Sequence, residues 1–121
     1  MNIKKTLVLG ASENPARYSY LAIKKLLAYG HPVVAIGKRK GLVDTIKIDT
    51  DQTAFEAIDT ITLYLNAGNQ KAYYDYIFSL HPRRIIFNPG AENPSLATLA
   101  AKKGIETMDA CTLTMLSIGA Y

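Results

Sequence analysis

The apolar run Thr6-Leu7-Val8-Leu9 breaks into Gly10-Ala11-Ser12, passes through Asn14-Pro15, and enters a helix-forming stretch at Ser19-Tyr20. A strand, a tight turn of small residues and a helix start, in that order, open a β-α-β unit. The strand is expected from Ile3 to Leu9 and stays apolar to its end, as suits a strand covered on both faces. In an open α/β sheet the turn that follows lies at the carboxyl end of the first strand. Backbone N–H groups and a helix N-terminus meet there, which makes a phosphate site. The segment therefore points to a nucleotide-like ligand and supplies no catalyst.

Strand and helix signals alternate through the rest of the chain. A helix from Pro15 or Ser19 to Tyr29 turns Leu21, Ile23, Leu26 and Leu27 toward the sheet, with Gly30 just past its end. Val33 to Ile36 is the second strand. Gly37 to Val43 reads as a loop, Thr45 to Ile48 as a short strand, and Phe55 to Ile58 as one helical turn. Ile61 to Leu65 is a central strand. Asn69 is the expected cap of a helix whose Ala72, Tyr73, Tyr76, Ile77 and Leu80 share one face, and Pro82 stops it. Arg84 to Phe87 is a strand followed by the turn Asn88-Pro89-Gly90. Asn93-Pro94 starts a helix that runs to Lys103, with Gly104 after it. Ile105 to Met108 is the last strand, and Thr112 to Ile118 a final helix. The pattern predicts an α/β fold: a three-layer, doubly wound, mostly parallel sheet of five or six strands. The 121 residues make one domain, 1–121, large enough to bury a core.

Composition narrows the function. Fourteen Lys or Arg against ten Asp or Glu give a net charge of +4, scattered except at Lys38-Arg39-Lys40. That balance suits an anionic small molecule, whereas nucleic acid binding would want a longer basic stripe. The single cysteine, Cys111, excludes a disulfide framework and fits a reducing, cytoplasmic setting. Leu7-Val8-Leu9 is too short for a signal peptide or a membrane span.

Five loops at strand carboxyl ends are rich in small residues: Gly10-Ala11-Ser12, Gly37-Lys38, Asn66-Ala67-Gly68, Asn88-Pro89-Gly90 and Asp109-Ala110-Cys111. Small residues let backbone approach a ligand, although glycine and asparagine are also ordinary turn formers. His31 and His81 each precede a proline that leads into a strand, so both belong at the opposite rim and neither is placed as a base. With no Cys/His cluster a metal site is not expected. Ser12 lacks an activating histidine, and its hydroxyl is expected on a phosphate. Arg17 is placed to reach a diphosphate with a bidentate contact. A dinucleotide fingerprint would carry more glycines, and an acid after the second strand to hold ribose hydroxyls. Lys38-Arg39-Lys40 stands there instead, which suits a phosphorylated ribose: the 3′-phosphate of coenzyme A or the 2′-phosphate of NADP.

Gly10-Ala11-Ser12, Asn14-Pro15, Arg17, Ser19-Tyr20, Leu27…Gly30…Val33, Asn93, Gly104-Ile105 and Asp109…Cys111 together resemble the small stand-alone CoA-binding proteins of bacteria and archaea. Their Rossmann-like fold is similar to the N-terminal domain of the succinyl-CoA synthetase alpha subunit. The resemblance covers nearly the whole chain. It implies that the first loop and helix start hold the CoA diphosphate and that the loop after the second strand lies by the adenosine. Carried over by position, it implicates Gly10, Ala11, Ser12, Arg17, Ser19 and Lys38. Asn14, Gly37, Asn66, Asn88 and Gly90 complete the expected cofactor-binding set from the strand-end loops. The chain departs from the usual family pattern in three places: Ile36-Gly37-Lys38 replaces Val-Asn-Pro, Phe87-Asn88-Pro89-Gly90 replaces Trp-x-Gln, and Ala110 stands where Asp-Arg-Cys has its arginine.

The expectation is a binding module for CoA or an acyl-CoA, with no chemistry of its own. The alternatives are an NADP-dependent enzyme or nucleotide-sensing regulator, and an interaction domain whose crevice is filled by Phe87, Tyr20 or C-terminal residues. Partners are expected to be a small nucleotide-type ligand, with no nucleic acid and no membrane. Tyr64, Tyr73, Tyr74, Tyr76 and Phe78 around the middle strand leave a homodimer open, with core packing the simpler account. Cys111, on the rim of the last strand, raises the question of a mixed disulfide with a CoA thiol.

Overall fold

Leu7-Val8-Leu9 and Ile85-Ile86-Phe87 show no apolar–polar alternation, and Thr60-Ile61-Thr62-Leu63 alternates only between small uncharged threonines and apolar residues, so all three runs suit cover on both faces. In the computed structural model, which describes residues 2–121, all of these residues are buried. They lie in β1 (Thr6–Ala11), β5 (Thr60–Leu63) and β6 (Arg84–Phe87). With β2 (Val33–Gly37), β3 (Gly41–Val43), β4 (Ile46–Asp49) and β7 (Glu106–Asp109) they form one sheet in the order β3-β4-β2-β1-β5-β6-β7. Every pairing is parallel except that of β3 with β4.

The helices are α1 (Tyr18–Ala28), α2 (Ala67–Gln70), α3 (Tyr74–Ser79), α4 (Pro94–Lys102) and α5 (Thr112–Ser117). Successive strand residues point to opposite faces, and two cores follow from that. Leu7, Leu9, Leu63 and Ile85 meet Ile77, Leu80, Leu96 and Ala100 of the α3–α4 side. Val8, Val33, Ala35 and Ile48 meet Ile23, Leu26 and Leu116 of the α1–α5 side. From β1 the chain winds outward to β2; from β5 it winds the other way to β6 and β7. The direction reverses between β1 and β5, and a ligand crevice in such a sheet opens at that point.

The expected architecture holds, with local differences. The sheet has seven strands, beyond the expected five or six. The added one is β3, cut from the expected Gly37–Val43 loop, where Gly41 and Val43 pair antiparallel with Ile48 and Ile46. Phe55 to Ile58 forms no helical turn; Ala57 sits at φ 58°, outside helical backbone. The helix expected after Asn69 begins earlier, because Asn66 is the cap and its Oδ1 accepts the Asn69 N–H at 2.9 Å. A 3-10 turn, Lys71–Tyr73, then separates α2 from α3. The first strand starts at Thr6 and leaves Ile3 69% exposed. Leu21, expected to cover the sheet, faces outward, and Ala22, Ile23 and Leu26 fill that role.

Candidate functional site

Two glycines bring backbone together at the carboxyl rim. Gly10 has φ +96°, and a Cβ there would stand 2.9 Å from the Tyr64 carbonyl carbon and 3.1 Å from the Leu65 nitrogen. The ends of β1 and β5 therefore converge at the switch point only because residue 10 lacks a side chain. A Cβ on Gly37 would lie 2.2 Å from the Ala11 carbonyl oxygen, which is how the end of β2 closes against β1.

The loop from β1 to α1 is stiffened by its own side chains. Ser12 Oγ accepts the Asn14 N–H at 3.1 Å, Asn14 Oδ1 accepts the Ala16 N–H at 3.0 Å, and the Asn14 carbonyl accepts the Arg17 N–H at 3.0 Å. These are local turns of the kind Ser and Asn favour. Arg17 precedes α1 in extended backbone and its side chain makes no capping hydrogen bond. The first-turn N–H groups of an 11-residue helix, which have no intrahelical acceptor, are thus left to solvent or a ligand.

Over this rim lies an open cleft of about 830 Å³. One wall is the stretch from Gly10 to Ser19, facing Lys38, Arg39 and Lys40; Tyr64, Leu65 and Asn66, with Pro89, Gly90 and Ala91, line the far side. Among the described residues four cations border it, Arg17 and Lys38 to Lys40, against a single carboxylate, Glu13. Glu13 Oε1 accepts the Leu42 N–H at 3.2 Å and ties the first loop to β3, which requires the absent side chain of Gly41.

Of the residues expected at the site, Gly10, Ala11, Ser12, Asn14, Arg17, Ser19, Lys38, Asn66 and Gly90 line the cleft together. Gly37 and Asn88 do not. Gly37 is buried where β2 meets β1. Asn88 is 2% exposed, and its amide points down into the sheet. Nδ2 donates to Thr62 Oγ1 at 2.7 Å and to the Leu63 carbonyl at 2.9 Å, while Oδ1 accepts the Thr112 N–H at 2.9 Å. Asn88 thereby splices β5, β6 and α5 under the cleft floor. Asn66 reaches the rim, but its Oδ1 is engaged as the α2 cap. Arg39 and Lys40, expected beside Lys38 as one basic run, also line the cleft, and Glu13, Tyr18, Tyr64, Leu65, Pro89 and Ala91 line it without having been in the expected set.

His31 and His81 lie away from the cleft, as their strand-entry positions imply. His31 is buried at the opposite rim, where Nδ1 accepts the Lys4 N–H at 3.0 Å. Burial holds it below its ordinary value, with the Lys4 and Arg84 charges adding to the effect. Cys111 is half-buried at the start of α5 and does not line the cleft. Burial pushes its thiol up, but hydrogen bonds from Thr114 and Leu113, with the Lys25 charge, leave it net below the ordinary value.

Phe87 is in the core, Tyr20 packs against the α1–α5 core, and Tyr121 lies with its ring tilted against His31 at the far rim, so none of them fills the crevice. The aromatics set aside for a dimer are also used within the fold. Tyr76 is buried with its hydroxyl on the Thr53 carbonyl, Tyr74 accepts from Asn93, and Tyr73 and Phe78 pack on the same core. Among the described residues no group of three or more His, Cys, Asp or Glu could hold a metal ion, and no helix is long and apolar enough to cross a membrane.

A family profile described as a CoA binding domain matches residues 4–117. A crystal structure of an uncharacterised protein is 45% identical over all of both chains, with a TM-score of 0.97. A hypothetical protein from Pyrococcus horikoshii OT3 superimposes with a TM-score of 0.87 at 18% identity, covering 97% of this chain and 84% of that one. A protein from Thermus thermophilus does so with a TM-score of 0.86 at 16% identity, covering 98% and 91%. The last two are alike in fold. No curated protein is significantly similar to the chain.

Proposed function

The chain belongs to the CoA-binding domain family, and on that premise we propose that its cleft holds coenzyme A or an acyl-CoA, as a binding module without chemistry of its own. The carrying observation is the uncapped N-terminus of α1, set between Arg17 and the Lys38-Arg39-Lys40 run in one cleft at the switch point. An anion gains there from unpaired N–H groups, the helix dipole and cationic side chains at once. In this reading the diphosphate rests on Gly10-Ala11-Ser12 and the start of α1, with Ser12, Ser19 and Arg17 donating. The adenosine end lies over β2, where Lys38 meets the 3′-phosphate. The acyl arm runs toward Asn66 and Gly90.

A second reading has one observation in its favour. Cations after the second strand would equally accept the 2′-phosphate of NADP. Thermal unfolding with CoA, acetyl-CoA, dephospho-CoA, NADP and NAD separates the two. A ligand that binds only the native state adds about 2.7 kcal/mol at a hundredfold excess over its Kd. The expected order is CoA and acetyl-CoA above dephospho-CoA, with NAD inert. A shift with NADP and none with any CoA species would replace the first reading by the second.

A further inference from the structure

We propose that Tyr18 is the platform on which the ligand's purine ring stacks, an assignment that rests on the reading of the cleft as a CoA site. Tyr18 is 72% exposed at the first position of α1 and lines the cleft directly after Arg17. The fold has uses for several of its other tyrosines, and exposed Tyr29 does not line the cleft. Tyr76 and Tyr74 close hydrogen bonds around the α3–α4 core, Tyr121 bonds Thr6 and lies 4.4 Å from the Arg84 guanidinium carbon, and Tyr20 packs on the α1–α5 core. Tyr64 also borders the cleft, but its ring packs against the α1–α5 core and its hydroxyl is buried. Tyr18 is thus the one cleft-lining ring, among the described residues, that is largely open to water.

An exposed aromatic face in the same cleft as a cluster of cations matches the two chemistries of a 3′-phosphorylated adenosine. The base needs a flat apolar surface and the phosphate needs positive charge. Arg39 and Lys40 line the cleft with Lys38 and supply the second, while Tyr18 supplies the first. A tyrosine gives up little rotamer freedom when a base stacks on it, and stacking tolerates any aromatic ring in its place. Glu13, the carboxylate bordering the cleft, is tied to Leu42 on the β3 side.

The test is calorimetric titration of the wild type, Tyr18→Ala and Tyr18→Phe with CoA, adenosine 3′,5′-bisphosphate and 4′-phosphopantetheine. The last lacks the base. The Ala variant is expected to bind CoA and the bisphosphate roughly tenfold more weakly, the Phe variant to stay within about twofold of wild type, and phosphopantetheine to show no difference. Equal CoA binding by wild type and Tyr18→Ala overturns the assignment, as does an equal loss for phosphopantetheine. If the wild type binds none of the three, the CoA reading itself fails and the assignment falls with it.

Discussion

Gly37 has no room for a side chain: a Cβ there would meet the Ala11 carbonyl oxygen at 2.2 Å, and backbone cannot step aside as a flexible side chain can. Gly37→Ala is expected to cost at least about 2 kcal/mol by forcing β1 and β2 apart at the rim, read as a lowered denaturation midpoint. Asn88 closes three buried hydrogen bonds, and Asn88→Ala would orphan the Thr112 N–H and the Leu63 carbonyl. A loss of about 3 kcal/mol follows, a fall in Tm on the order of 10 °C. Unchanged stability with weakened ligand binding would instead return Asn88 to the cleft. Its position at the end of β6 was readable from sequence, but the direction of its amide was not, because that depends on Thr62 and Thr112 arriving from distant segments. His31 gives a pH dependence. Its Nδ1 must be unprotonated to accept the Lys4 N–H, and burial, then Lys4 and Arg84, hold its pKa below 6.5, against a smaller opposing effect of Asp59. The unfolded chain takes up the proton first. Stability is therefore full above pH 6.5 and falls as pH drops from there toward the folded value. Thermal melts against pH should show that slope, and His31→Gln should flatten it.

At the scale of elements, the first loop and α1 carry the site. Asn14→Ala removes one of the local turns that hold this loop while touching no core residue. It is expected to change stability by less than ~0.5 kcal/mol and to weaken CoA binding several-fold through lost preorganisation, measurable by paired melts and titrations. Periodicity and turn chemistry made most elements legible: Gly30 after α1, Asn93-Pro94 before α4, and the unbroken apolar strands. β3 was hidden because Gly41-Leu42-Val43 is a strand only through its pairing with β4 and the clasp of Glu13 on Leu42. Asn66 rather than Asn69 became the cap because the chain turns immediately after β5, a distance the helical face of Tyr73, Tyr76 and Ile77 does not encode.

Across the whole molecule, one rim carries the open cleft and the other is locked by side-chain contacts. The carboxyl rim gathers Arg17 and Lys38 to Lys40 around the switch between β1 and β5. The amino rim is sealed by Arg84, which donates to Thr60 and to the Tyr121 carbonyl, with the His31 ring tilted against that of Tyr121. The doubly wound, mostly parallel sheet was implied by the alternation of elements, and the basic cluster was visible as Lys38-Arg39-Lys40. The convergence of that cluster with the first loop required the closed contact of Gly37 and Ala11. The most direct test is a residue-resolved NMR titration with CoA. Saturable shifts are predicted at Ser12, Tyr18, Ser19, Lys38 and Gly90, with His31, Arg84 and Tyr121 unmoved. No shift at millimolar CoA, or shifts centred on the amino rim, would contradict the assignment of the cleft.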